Sequence, residues 1–153
     1  KLFASVDSNV TDVQFFVPGT STAATTSAFG LVFVDVETSN ATQLEFFDTQ
    51  GALIFSRFAP EGGNQGLSFL GGVAIAGEQI ARVRITTPTN YLISNGVRAT
   101  EAVDFVVMDD FLYASPVAAG VAGVPVPAPL ALGLLGLAGL AARRISSRRA
   151  DRP

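Results

Sequence analysis

The chain is 153 residues long, 48% hydrophobic and 15% charged, with no cysteine, histidine or tryptophan and a net charge of −3. This length holds one domain of about 110 to 120 residues plus a tail, and the composition is too apolar for a disordered chain. The missing residues exclude a disulfide framework, a thiolate zinc site and a cysteine nucleophile and remove the commonest general base, so no catalytic role is expected.

Residues 1–115 read as short Val/Ile/Phe/Thr-rich runs separated by Gly, Pro, Asn and Asp, the pattern of an antiparallel β-sandwich of jelly-roll-like type. No helical period interrupts it. Strands are expected at 13–17, 29–37, 43–47, 53–58, 67–75, 80–86 and 103–113, with weaker candidates at 2–6 and 91–94. The sequence opens directly into strand-like residues at Lys1, so further strands are expected upstream.

Between "LEFF" and "ALIF" lies "DTQG". Asp48 suits the capping of such a turn and Gly51 its positive φ, which predicts a hairpin. The loop "PEGGNQG", 60–66, is too uncharged to cradle a phosphate. In "IARVRIT", alternation places Arg82 and Arg84 on one face, as a solvated surface paired with carboxylates such as Glu45. In "VDFVVMDDFLY", unbroken alternation would place Asp109 with Phe105, Val107, Phe111 and Tyr113, and Asp110 with Val106, Met108 and Leu112. Bare carboxylates in such company are costly unless paired or metal-bound. Two readings follow: a Ca²⁺ site in which Asp109 and Asp110 are joined by Asp35, with Glu37 and Asp7 as further candidates, or pairing with Arg82, Arg84 or Arg98 or the capping of a bulge.

Residues 117–142 contain no charge at all, and the run stops at paired arginines. After a Pro/Gly/Ala linker at 116–126, a helix beginning at Pro127 has sixteen residues to Ala142, about 24 Å of rise against about 30 Å of hydrocarbon. Snorkelling of Arg143 and Arg144 extends it to 147, which predicts one transmembrane helix over 127–147. Residues 1–142 carry a net −7 and residues 143–153 a net +4. The positive flank stays in the cytoplasm, so the basic tail 148–153 is inside and the β domain outside. The only basic cluster lies beyond the apolar run, which leaves no nucleic-acid footprint. Gly133, Gly136 and Gly139 form a low-relief strip on which another helix can pack.

These residues carry a resemblance. "VPVPAPLALGLLGLAGLAARRISSRR" resembles the PEP-CTERM sorting signal of Gram-negative bacteria. Its box corresponds to Val124, Pro125, Val126, Pro127 and Ala128, its helix to 130–142, and its arginine cluster begins at Arg143 and Arg144. The family's glutamate between the prolines is Val126 here. The resemblance implies export, residence in the inner membrane and processing by an exosortase near the box. Upstream, "FFVPGT", "AFGLVFVDVE", "LEFFDTQGALI", "GLSFLGGV", "IARVRIT" and "VVMDDFLY" resemble in order the β domain that often precedes such tails, a domain that implies no activity.

The expected protein is therefore a non-catalytic, single-pass inner-membrane protein with a periplasmic sandwich in a structural or interaction role. One way of working is as an accessory subunit of a larger membrane assembly, such as a photosynthetic or respiratory complex, with integral membrane partners. The other is as an envelope or matrix protein that binds polysaccharide, with Ca²⁺ as its one candidate cofactor. Exposed aromatics on one sheet face serve sugar binding, whereas an apolar patch serves docking.

Overall fold

The computed structural model describes residues 1–89, 91–93, 96–98 and 105–120. They belong to one compact unit, Lys1–Gly120. The elements in order are β1 (Val10–Phe16), β2 (Ala23–Thr25), β3 (Ala28–Val34), β4 (Gln43–Phe47), β5 (Leu53–Phe58), β6 (Leu67–Val73), β7 (Arg82–Thr86), β8 (Tyr91–Ile93), β9 (Gly96–Arg98), β10 (Val107–Tyr113) and β11 (Val117–Ala118). Among the described residues every element is a strand, and every strand pairing is antiparallel. None of these residues forms a helix long and apolar enough to cross a membrane. The expected helix at 127–147, with its sorting box, arginines and glycines, lies outside the described residues.

Six strands form one sheet in the order β11-β2-β1-β7-β4-β5, three form a second in the order β10-β3-β6, and β8 and β9 make a separate hairpin. Alternation explains which side of each strand is buried. In β4 and β7, Leu44, Phe46, Val83 and Ile85 point inward, while Gln43, Glu45, Arg82 and Arg84 point out. From the opposite sheet come Phe29, Leu31, Phe33, Leu70 and Met108. The layers meet in aromatic contacts: Phe29 lies edge-on to Phe15 at 6.0 Å and to Phe46 at 6.3 Å between ring centroids. Burying these rings and aliphatics between two sheets is what makes the sandwich stable.

The turn at "DTQG" forms as its residues dictate. Asp48 accepts hydrogen bonds at Oδ1 from the N–H groups of Gln50 and Ala52, both at 2.8 Å, and Gly51 sits at φ 81°. Several strand expectations need correction. Strand β6 ends at Val73 rather than at 75, and β10 begins at Val107 rather than at 103. Strand β3 ends at Val34, because Asp35 turns into the left-handed region at φ 72°. Strand β1 begins earlier than expected, at Val10, because it pairs with β7 along Val10–Gln14. Strand β7 begins at Arg82, and Ile80 instead makes an isolated bridge to Thr26. In β10, a register shift between Asp109 and Leu112, with Asp110 at φ 44°, breaks the alternation. Met108 therefore faces the core, Asp110 stands exposed on the bulge, and Phe111 returns to pack on Phe29 at 6.1 Å. The two carboxylates are not buried among apolar neighbours.

The stretch 2–6 forms bridges rather than a strand. Phe3 pairs with Met108 through two backbone hydrogen bonds of 2.8 Å, and Val6 bridges Leu92. This segment therefore covers the outer edge of β10 and ties down the β8–β9 hairpin.

Candidate interaction surface

The two sheets present opposite chemistry to solvent. On the six-stranded sheet, Asp12 faces Arg84 across the β1–β7 register, and Glu45 faces Arg84 across β4–β7. Asp12 takes a two-pronged hydrogen bond from Arg84, Nε to Oδ1 at 2.8 Å and Nη2 to Oδ2 at 2.9 Å, and a third from Arg82 at 3.1 Å. Asp12 is thus the ion-pair partner of both arginines, where the sequence pointed to Glu45. The hydrogen bonds from Arg84 are the main cause of an Asp12 carboxyl held below its ordinary value, and they push the Arg84 guanidinium up. The Arg82 guanidinium also lies 3.9 Å from the centroid of Phe47, so this ring's face is already taken.

The outer face of the three-stranded sheet is apolar. Strand β6 contributes Leu67, Phe69 and Val73, all exposed, β3 contributes Val32 and Val34, and β10 contributes Val107 and Leu112. The carboxylate on this face is Asp109, which accepts a hydrogen bond from the Asp110 N–H at 2.9 Å. This donor is the leading cause of an Asp109 carboxyl held below its ordinary range.

A glycine pair shapes this face. Gly30 of β3 lies opposite Gly71 of β6, and the Phe69 ring folds over both. A Cβ on Gly30 would lie 2.7 Å from the ring, and one on Gly71 would lie 3.0 Å from Gly30 Cα. The hollow beside the ring is an apolar groove of about 510 Å³ that runs past Val73 and Leu112 to Tyr113. A second cavity of about 360 Å³ opens on the far side of β6, between the edges of the two sheets, over Phe46, Phe55, Gly72 and Ile80, with Glu78 among its lining residues.

The candidate metal ligands do not converge. Asp109 accepts the Asp110 N–H, and Asp110 projects from the bulge. Asp35 caps the neighbouring loop by accepting the Gln65 N–H at 2.6 Å. Among the described residues no three carboxylates group so as to hold a metal ion. Arg82 and Arg84 are used by Asp12, so neither is the partner of Asp109.

Sequence reasoning passed over the β6 surface. The signal was present in "GLSFLGGV", which has no charged residue on either alternating face, whereas a strand with one solvated side ordinarily alternates with polar residues.

No family model matches the chain, and no curated protein or solved structure matches it.

Proposed function

We propose that the chain is a non-catalytic, single-pass inner-membrane protein whose periplasmic β-sandwich docks it, as an accessory subunit, on a larger membrane assembly. The anchor of this reading is the apolar run with its arginine stop, 127–147. The chain changes sheets between β2 and β3, β3 and β4, β5 and β6, β6 and β7, and β10 and β11, which supports a jelly-roll-like winding of the domain.

The observation that carries the docking role is the contrast between the two outer faces. The six-stranded face carries the salt-bridged Asp12–Arg82–Arg84 cluster, with Phe16 and Phe58 exposed singly on β1 and β5, while the three-stranded face exposes Leu67, Phe69, Val73 and Leu112. Contiguous apolar surface rimmed by polar groups is the usual mark of a protein interface. It suits docking better than polysaccharide binding, because this face is mainly aliphatic, while on the other face Phe47 is capped by Arg82 and the exposed rings Phe16 and Phe58 stand on β1 and β5, with β7 and β4 between them.

Native membranes solubilised in mild detergent test this reading. The expected result is comigration of the chain with other membrane proteins at fixed stoichiometry. Leu112→Glu, on a side chain 56% exposed, is expected to weaken that association on the order of tenfold or more. Migration free of other proteins, together with Ca²⁺-dependent retention on polysaccharide, would overturn it.

A further inference from the structure

The edges of the sandwich are managed unequally. Strand β11 has only two residues, β5 carries Arg57, and β10 is covered by Phe3. Strand β6 is neither short nor charged: it runs seven residues, "LSFLGGV", without a charge or a proline, and among the described residues the loop at Gly62 meets its Leu67 end. Short length, charge, proline and cover are the means by which sheets avoid pairing with other chains.

The register defines what this edge offers. The Ala74 N–H donates to Ser27 and the Asp35 N–H donates to Gly66, so the even-numbered residues of β6 bond inward to β3. Phe69, Gly71 and Val73 therefore turn their N–H and C=O groups toward an edge that is open among the described residues, while the Leu67 carbonyl lies against Gly62. Their side chains lie on the exposed apolar face.

We propose that β6 pairs antiparallel with β6 of a second copy of this chain, about a two-fold axis through Gly71, to join two three-stranded sheets into one. This arrangement sets Phe69 opposite the second copy's Val73 and Val73 opposite its Phe69. Aromatic against β-branched is a favourable cross-strand combination. Gly71 meets its own copy on the axis. Phe69 and Val73 thus each find a large apolar partner, and no charge faces a like charge.

Phe69 and Val73 are 55% and 69% exposed, and pairing covers the flank of each that faces the second copy while their outer sides stay open. The inference rests on the docking reading for this side of the sandwich being where partners are met, and it names a second copy as the occupant of the edge, leaving the outer face free.

The test uses the full chain in detergent. The mass of the protein component is expected to be that of a dimer, and Val73→Lys is expected to raise the dissociation constant at least tenfold. The chain has no cysteine, so an introduced pair reports the register. In Phe69→Cys/Val73→Cys the facing Cα atoms of two copies would be about 5.5 Å apart, within disulfide reach. Within one copy they are about 13 Å apart, beyond it. A covalent dimer from this variant, and none from Leu67→Cys/Val73→Cys, is the expected result. A monomeric chain overturns self-pairing, as does a dimer that cross-links only in the second variant or in neither. A monomer that still comigrates with other membrane proteins overturns self-pairing alone and leaves the docking reading standing. A β6-linked dimer that comigrates with nothing else has the opposite meaning.

Discussion

The carboxylate of Asp12 is where the charge pattern becomes a stability term. It takes three hydrogen bonds from Arg82 and Arg84 at one exposed spot of the sheet, and its folded-state pKa lies below the ordinary value of 3.8. A depressed carboxylate pKa adds stability that is complete above the unfolded-state value, and this stability fades as pH falls through the folded value. The window lies below about pH 4. Because the pair is partly open to solvent, Asp12→Asn is expected to cost only about 0.5 kcal/mol at neutral pH. Chemical unfolding at pH 7 and pH 3 checks this, since the difference between wild type and variant should shrink at the lower pH.

A second residue points the other way. The Thr42 hydroxyl is buried without a hydrogen-bond partner among the described residues. Thr42→Val keeps the shape and removes an unpaired polar atom, so it is expected to stabilise the fold by about 1 kcal/mol in the same assay.

At the scale of elements, the packing of β3 against β6 depends on the absence of side chains. Gly30→Ala brings a Cβ to 2.7 Å from the Phe69 ring and 3.1 Å from Gly71 Cα. The ring can swing away but the backbone cannot, so the substitution is expected to cost about 1 to 3 kcal/mol. Phe69→Ala in the same chain should recover part of that cost. Thermal unfolding of the two single variants and the double variant measures the coupling. In the core, Phe33 is fully buried, and Phe33→Ala is expected to cost about 3 to 5 kcal/mol.

The elements also show what the sequence could carry and what it could not. β4 and β5 were legible to the residue, because Asp48 and Gly51 fix the turn between strands that alternate cleanly. β2 and β11 were not, since three and two residues of small side chains have no period to read. The shared face of Arg82 and Arg84 followed from local alternation. Their partner did not, because Asp12 is 72 residues from Arg84 and only the β1–β7 register brings them together. The acidic pair at 109 and 110 was legible only as two alternatives, a metal site or an ion pair or bulge cap, because a bulge reverses alternation at one residue and the positive φ of Asp110 that makes it leaves no mark in composition.

At the scale of the whole molecule, the sandwich is two-faced, with a salt-bridged surface on six strands and an aliphatic one on three. That asymmetry sets the order in which conditions should act on an assembly built from it. Raising salt weakens exposed ion pairs and strengthens apolar contact. Association through the three-stranded face is therefore expected to persist or tighten as salt is raised, and comigration profiles at low and high ionic strength check it. Dissociation at high salt would place the contact on the charged face instead.

The groove beside Phe69 ends at Tyr113, which is 58% exposed and lies 6.0 Å from the Phe15 ring. With no tryptophan and only two tyrosines in the chain, the near-ultraviolet emission comes from two phenols, one of which sits on the rim of the apolar face. The molecule thus has a built-in optical probe. Any partner that dries the groove removes water from around Tyr113 and changes the intensity of its emission, without a label being attached.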